Sequence, residues 1–112
     1  MTTATWRSFT SILTCQRAWI AVTGSAASLV AWEDLGRWGR GFVATAPSAV
    51  EISDFWAAPA KEPIRVYVGR ANGKTPQERA DLALAELRRV GAFQRKVLIV
   101  TSPTGTGWMD PG

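Results

Sequence analysis

Residues 63–69 read PIRVYVG, and they open the most regular part of the sequence. Their β-branched and aromatic side chains, bounded by a proline and a glycine, are typical of a β-strand. Residues 96–101 read KVLIVT, an almost unbroken apolar run of the kind found in parallel strands that are covered on both faces. The two stretches therefore predict strands at about 64–69 and 96–101.

A helix is predicted between the two strands, at about 75–90. Thr75, Pro76 and Glu78 stand in the order of an N-cap residue, a proline in the first turn and a capping-box glutamate. Gly91 is placed to end the helix. The apolar face consists of Ala80, Ala83, Leu84, Leu87 and Val90. Strand, helix and strand in this order predict a right-handed βαβ unit with parallel strands, and so an α/β fold.

Two short helices are predicted before this βαβ unit. In the first, apolar residues recur at helical spacing from Leu29 to Leu35, and we expect the helix to end at the glycines of residues 39–41. The second begins at Ser48, which forms a capping-box pattern with Glu51. In residues 1–27 the apolar side chains recur at neither helical nor strand spacing. We therefore divide the chain into a poorly defined N-terminal segment, 1–27, and one domain, 28–112.

Composition narrows the classes of function. The net charge is +4, but the basic residues are interspersed with acidic ones, so we do not expect nucleic-acid binding; a basic protein at nucleic acid or anionic lipid is the weakest alternative. The apolar stretch 12–22 contains Gln16 and Arg17 and is shorter than the roughly 20 residues of a membrane-spanning helix. It also lacks a convincing signal-peptide cleavage site, so the localisation stays open.

The residues required by common hydrolytic and metal sites are missing from the 112 residues. There is no histidine, no GxSxG nucleophile motif and no phosphate-binding glycine motif, and Cys15 is the only cysteine. Catalytic triads built on histidine, internal disulfides and sites with several cysteine ligands are thereby excluded within this sequence. We expect no metal and no cofactor, and we assign no catalytic residue.

One constellation of residues suggests ligand binding. Residues 102–108 read SPTGTGW and directly follow the second predicted strand, where α/β folds place their ligands. Glycines let the backbone approach a ligand, and threonine hydroxyls with nearby N–H groups can hold an oxyanion. The predicted substrate-binding residues are Thr104, Gly105, Thr106, Gly107 and Trp108. The alternative is an ordinary turn in which Trp108 is a packing residue.

Several blocks, in one order, carry a family resemblance. They are Leu35–Arg37, Gly39–Arg40, Phe42–Thr45, Glu51–Ser53, Pro59–Gly69, Thr75–Pro76, Glu78–Ala80, Ala83, Glu86–Leu87, Gly91–Phe93, Val97–Leu98 and Pro103–Trp108. Together they resemble the opening of the catalytic domain in an actinobacterial α/β-hydrolase family. In that family the catalytic domain follows a membrane-embedded N-terminal domain.

The resemblance implies a serine hydrolase acting on an ester or another acyl compound, with a lipid-like small molecule as substrate and a place at the membrane. Residues 28–112 would be an incomplete α/β-hydrolase-like catalytic domain, with the nucleophile motif and the histidine beyond Gly112. We therefore expect this chain alone to be inactive. The alternative is a small stand-alone binding or interaction module. In either case an incomplete sheet has exposed edges, which predict self-association.

Overall fold

The computed structural model describes residues 22–103 and 105–110. Within them lie three α-helices: α1 (Gly36–Ala44), α2 (Ala49–Trp56) and α3 (Pro76–Arg89). Short 3-10 helices occupy Trp32–Leu35, Arg70–Asn72 and Ala92–Gln94. The described residues contain no β-strand, only one isolated parallel bridge between Gly24 and Ala31. No helix in the described part is long and apolar enough to cross a membrane.

Two helix starts are confirmed as predicted. The Thr75 hydroxyl accepts a hydrogen bond from the Glu78 N–H at 3.1 Å, and the Glu78 carboxylate accepts one from the Thr75 N–H at 3.3 Å. Ser48 and Glu51 make the same reciprocal pair at the start of α2. Each capping box satisfies N–H groups that have no partner inside the helix, which explains why both helices begin there.

The first helix lies further along the chain than predicted. Residues 29–31 are not helical, and Trp32–Leu35 form a 3-10 helix. The expected end at residues 39–41 is also wrong, because α1 begins at Gly36 and runs through them to Ala44. Leu35, Gly39 and Val43 lie four residues apart and are all buried, so they face the core together. Packing along this face outweighs the cost of about 1 kcal/mol that a helical glycine carries relative to alanine.

The predicted α/β fold is wrong for the described residues. Residues 64–69 and 97–101 have no regular secondary structure and form no ladder, so no βαβ unit exists. In the first segment Tyr67 and Val68 pack against the core, whereas in the second Val97 and Ile99 are 73% and 78% exposed. Strand propensity predicts an extended backbone, but pairing needs additional strands or a covered face, and two short strands alone are marginal.

The core is small and lies between α1, α3 and residues 22–31, which precede α1. Val30, Leu35 and Val43 are buried at its centre. Partly buried side chains pack around them: Val22, Trp32, Phe42, Tyr67, Val68 and Leu82. In α3 the predicted apolar face is rotated, since Leu84 is 39% exposed while Glu86 is fully buried.

Glu86 organises a buried polar cluster, which we call the Glu86 cluster. Its carboxylate accepts hydrogen bonds from the Arg89 Nε and Nη2 at 2.8 and 2.7 Å and from the Ser28 hydroxyl at 2.6 Å. It also accepts from the Leu29 N–H at 3.1 Å and the Thr23 hydroxyl at 3.3 Å. These bonds attach residues 23–29, part of which precedes the predicted domain start at residue 28, to helix α3.

The contacts of Glu86 keep it ionised although it is buried. Burial alone would raise its pKa, but the hydrogen bonds from Arg89, Ser28 and the Leu29 N–H, together with the charge of Arg89, lower it to about 2. The same carboxylate raises the pKa of Arg89. Because the Glu86 charge is buried and paired with Arg89, the attachment of residues 23–29 to α3 depends on the ionisation of both side chains.

Candidate ligand-binding loop

The predicted substrate-binding loop is tied to the rest of the chain on two sides. The Tyr67 hydroxyl donates a hydrogen bond to the Gly107 carbonyl at 2.9 Å. The Thr101 hydroxyl lies 3.9 Å from the Met109 sulfur across the base of the loop. Residues 105–108, the Gly105–Trp108 loop, therefore return toward the segment at 64–69. Thr104 lies outside the described residues, so its placement is not part of this geometry.

The backbone of this loop contains two glycines in conformations that favour glycine. Gly105 and Gly107 have φ values of 69° and 89°, whereas Thr106 between them does not have a positive φ. Changes in the sign of φ between neighbouring residues are typical of anion-binding nests, in which successive N–H groups point toward one side. Gly105 and Thr106 lie at the centre of a turn. Within the described part of the chain, the N–H groups of Gly105, Thr106 and Trp108 have no acceptor.

The loop presents these donors at the surface. Gly105 and Thr106 are exposed, and Gly107 is half-buried beneath Tyr67. Trp108 is 52% exposed, so its indole does not lie in the core. The loop thus brings together the backbone N–H groups of Gly105, Thr106 and Trp108, one hydroxyl and one aromatic face at a place that solvent and ligands reach.

Tyr67 is the supporting residue that the sequence interpretation missed. It was assigned only to the predicted strand 64–69, yet its ring lies against α1 and its hydroxyl reaches the loop. A Cβ atom on Gly39 would stand 2.6 Å from the ring, so only glycine leaves room for it. The ring centroids of Tyr67 and Phe42 are 6.1 Å apart. The sequence carries one signal, because a tyrosine inside an apolar run usually finds a hydrogen-bond partner for its hydroxyl when it is buried.

Two grooves in the described part of the chain lie away from this loop. The larger, of about 520 Å³, has mainly apolar walls that include Val43, Ile64 and Val90, with Arg65 and Arg95 also lining it. The other is lined by residues between Gly24 and Glu33. Neither includes a predicted substrate-binding residue, so the candidate site is an exposed loop and not an enclosed pocket.

Comparison with known proteins connects this loop with a hydrolase family. Residues 64–112 match an alpha/beta-hydrolase family, and the matched range contains Tyr67, Glu86 and the whole Gly105–Trp108 loop. The resemblance to an alpha/beta-hydrolase family is confirmed for this part of the chain. The chain matches neither a curated protein nor a solved structure.

Proposed function

We propose that the Gly105–Trp108 loop, together with Thr104, forms the oxyanion-binding part of an α/β-hydrolase substrate site. One observation carries this proposal: the N–H groups of Gly105, Thr106 and Trp108, in a loop shaped by positive φ at Gly105 and Gly107, have no acceptor in the described chain. The loop also lies inside the range that matches the hydrolase family. Exposed N–H donors without an acceptor are more consistent with binding of a developing negative charge than with a loop that is only a structural turn.

The chemistry of acyl hydrolysis explains what such donors do. Attack on an ester carbonyl places negative charge on its oxygen, and each preorganised N–H donor stabilises that charge by about 3 to 4 kcal/mol in the transition state. We propose an ester or another acyl compound as the substrate class. In the family that the sequence resembles, the expected substrate is a lipid-like small molecule. We assign no attacking nucleophile and no general base, because the 112 residues contain no histidine and no GxSxG motif.

Binding of a transition-state mimic tests the loop directly. Phenylphosphonate carries a tetrahedral anionic group, so we expect it to shift the amide resonances of Gly105, Thr106 and Trp108 in ¹⁵N-labelled protein. Gly105→Val should abolish the shift, because valine is strained at a φ of 69° while no described atom lies near enough to clash.

The control for this variant is Gly36→Val. Gly36 also has a φ of 69° and open space around it, but it lies at the start of α1. This variant carries comparable backbone strain and should retain the phosphonate shifts. Equal loss of binding in both variants, or no shift in the unsubstituted protein, would contradict the proposal.

The purified chain is expected to hydrolyse p-nitrophenyl esters no faster than a buffer blank. The 112 residues contain no histidine to act as general base, and general-base catalysis contributes roughly 10²- to 10⁴-fold in rate. Release of p-nitrophenolate, followed by absorbance, measures this directly. Turnover that disappears in Ser102→Ala would show that a nucleophile other than a GxSxG serine operates in this chain.

A second candidate function is that of an interaction module that associates with itself. The observation in its favour is the apolar run Val97, Leu98, Ile99 and Val100, whose side chains are between 46% and 83% exposed. Exposed apolar patches of this kind mark interaction sites or association-prone surfaces. The two functions are compatible, because the run precedes the loop and shares no residue with it.

A further inference from the structure

We propose that Tyr67 is a positioning residue for ligand binding by the Gly105–Trp108 loop, and that α1 holds Tyr67 in place for this task. The inference rests on the proposed function, since it assigns the residue that sets the donors of that same site. The Tyr67 hydroxyl donates to the Gly107 carbonyl at 2.9 Å, across 40 residues of sequence. No other side chain is shown to bond to the loop backbone in the described part of the chain.

A bond to this carbonyl controls a donor as well. The Gly107 carbonyl and the Trp108 N–H belong to one planar peptide unit, so fixing the oxygen also fixes where the N–H points. The φ of 89° at Gly107 then relates this plane to the preceding one. Without the tyrosine, two glycines would leave the loop free to rotate its peptide planes, and ligand binding would require them to be ordered again.

The position of Tyr67 depends on close contacts with α1. Its ring occupies the space beside Gly39, where any Cβ would lie 2.6 Å away. Phe42 packs at a centroid distance of 6.1 Å, and the Arg65 guanidinium lies 4.7 Å from the Phe42 ring while its Nη1 donates to the Phe42 carbonyl at 2.9 Å. Helix α1 precedes the residues that match the hydrolase family, so support for the loop extends beyond the matched range.

The contacts of the two loop glycines agree with this assignment. A Cβ on Gly107 would lie 2.6 Å from the Tyr67 hydroxyl oxygen, whereas a Cβ on Gly105 would meet nothing within 4 Å. The Tyr67 hydroxyl therefore lies so close to the loop backbone at Gly107 that no side chain larger than that of glycine would fit there. A turn that only connected two segments would not require contact this close between a hydroxyl and a glycine.

The decisive variant is Tyr67→Phe, which keeps the ring against Gly39 and removes only the hydroxyl. We expect it to remain folded and to bind phenylphosphonate about tenfold more weakly, the usual scale for one lost hydrogen bond. The phosphonate-induced shift of the Trp108 amide should fall most, because this N–H shares the peptide unit that the hydroxyl holds. A ¹⁵N titration reports the affinity and the individual amides together.

A pair of α1 variants tests whether the helix is involved. Gly39→Ala should displace the tyrosine ring and weaken binding, whereas Gly41→Ala, which meets nothing within 4 Å in the same helix, should not. If phenylphosphonate shifts no loop amide of the unsubstituted protein, the proposed function fails, and the role of Tyr67 fails with it. If the unsubstituted protein binds and Tyr67→Phe binds equally well with the same Trp108 shift, the positioning role alone is overturned.

Discussion

Replacing Glu86 with glutamine is expected to lower the free energy of unfolding by about 3 kcal/mol, the scale for removing one partner of a buried ion pair. The carboxylate is fully buried and accepts five hydrogen bonds, two of them from the Arg89 guanidinium at 2.7 and 2.8 Å. Glutamine has one acceptor oxygen, so it leaves Arg89 without its counter-charge and turns an N–H₂ group toward other donors. The attachment of Ser28 and Leu29 to α3 weakens at the same time.

Urea denaturation measured by tryptophan fluorescence checks this value. The matched control is Asp81→Asn in the same helix, which removes one exposed charge and should change the free energy of unfolding by less than about 0.5 kcal/mol. Similar small losses in both variants would mean that residues 23–29 are not held by the Glu86 cluster.

The pH dependence of stability follows from the same carboxylate. The pKa of Glu86 is about 2 in the folded chain and 4.5 as the ordinary value, so its contribution is complete above pH 4.5 and is lost as the pH falls toward 2. We expect Glu86→Gln to remove most of this loss. The pKa of Glu51 is also lowered, by hydrogen bonds from Ser48, but its carboxylate is exposed and contributes less.

Substituting lysine for both Val97 and Ile99 is expected to abolish self-association, or to weaken it at least about tenfold. These residues are 73% and 78% exposed and belong to the apolar run from Val97 to Val100. Burying two lysine charges in an association surface costs more than the 1.4 kcal/mol that corresponds to a tenfold change in affinity. Sedimentation velocity at several protein concentrations gives the distribution of species.

Val50→Lys provides the control for this pair. Val50 is 67% exposed on α2, so lysine there adds charge without touching the apolar run. The control should associate like the unsubstituted protein. A monomeric unsubstituted protein at every concentration would contradict the interaction module, and equal dissociation in the control would attribute the effect to net charge.

Features that depend on neighbouring residues could be predicted from the sequence. The capping boxes of Ser48 with Glu51 and of Thr75 with Glu78 form between residues three apart, so they do not depend on the remainder of the fold. Gly91, with a φ of 72°, follows the last turn of α3 for the same reason. The family resemblance could also be read from the sequence, and the match confirms it within residues 64–112.

The tertiary structure alone decided which segments meet. The apolar pattern of residues 64–69 and 96–101 predicted strands, but pairing requires partners that the pattern does not specify, and the described residues do not pair. The face that α3 turns toward the core depends on the donors around Glu86, three of which come from Thr23, Ser28 and Leu29, which precede Glu86 by 57 to 63 residues. The loop is held by Tyr67 because Gly39 leaves space for its ring, a contact across 28 residues that has no local signature. Local hydrogen bonds can be derived from adjacent residues, whereas contacts between distant residues arise only when the whole chain packs.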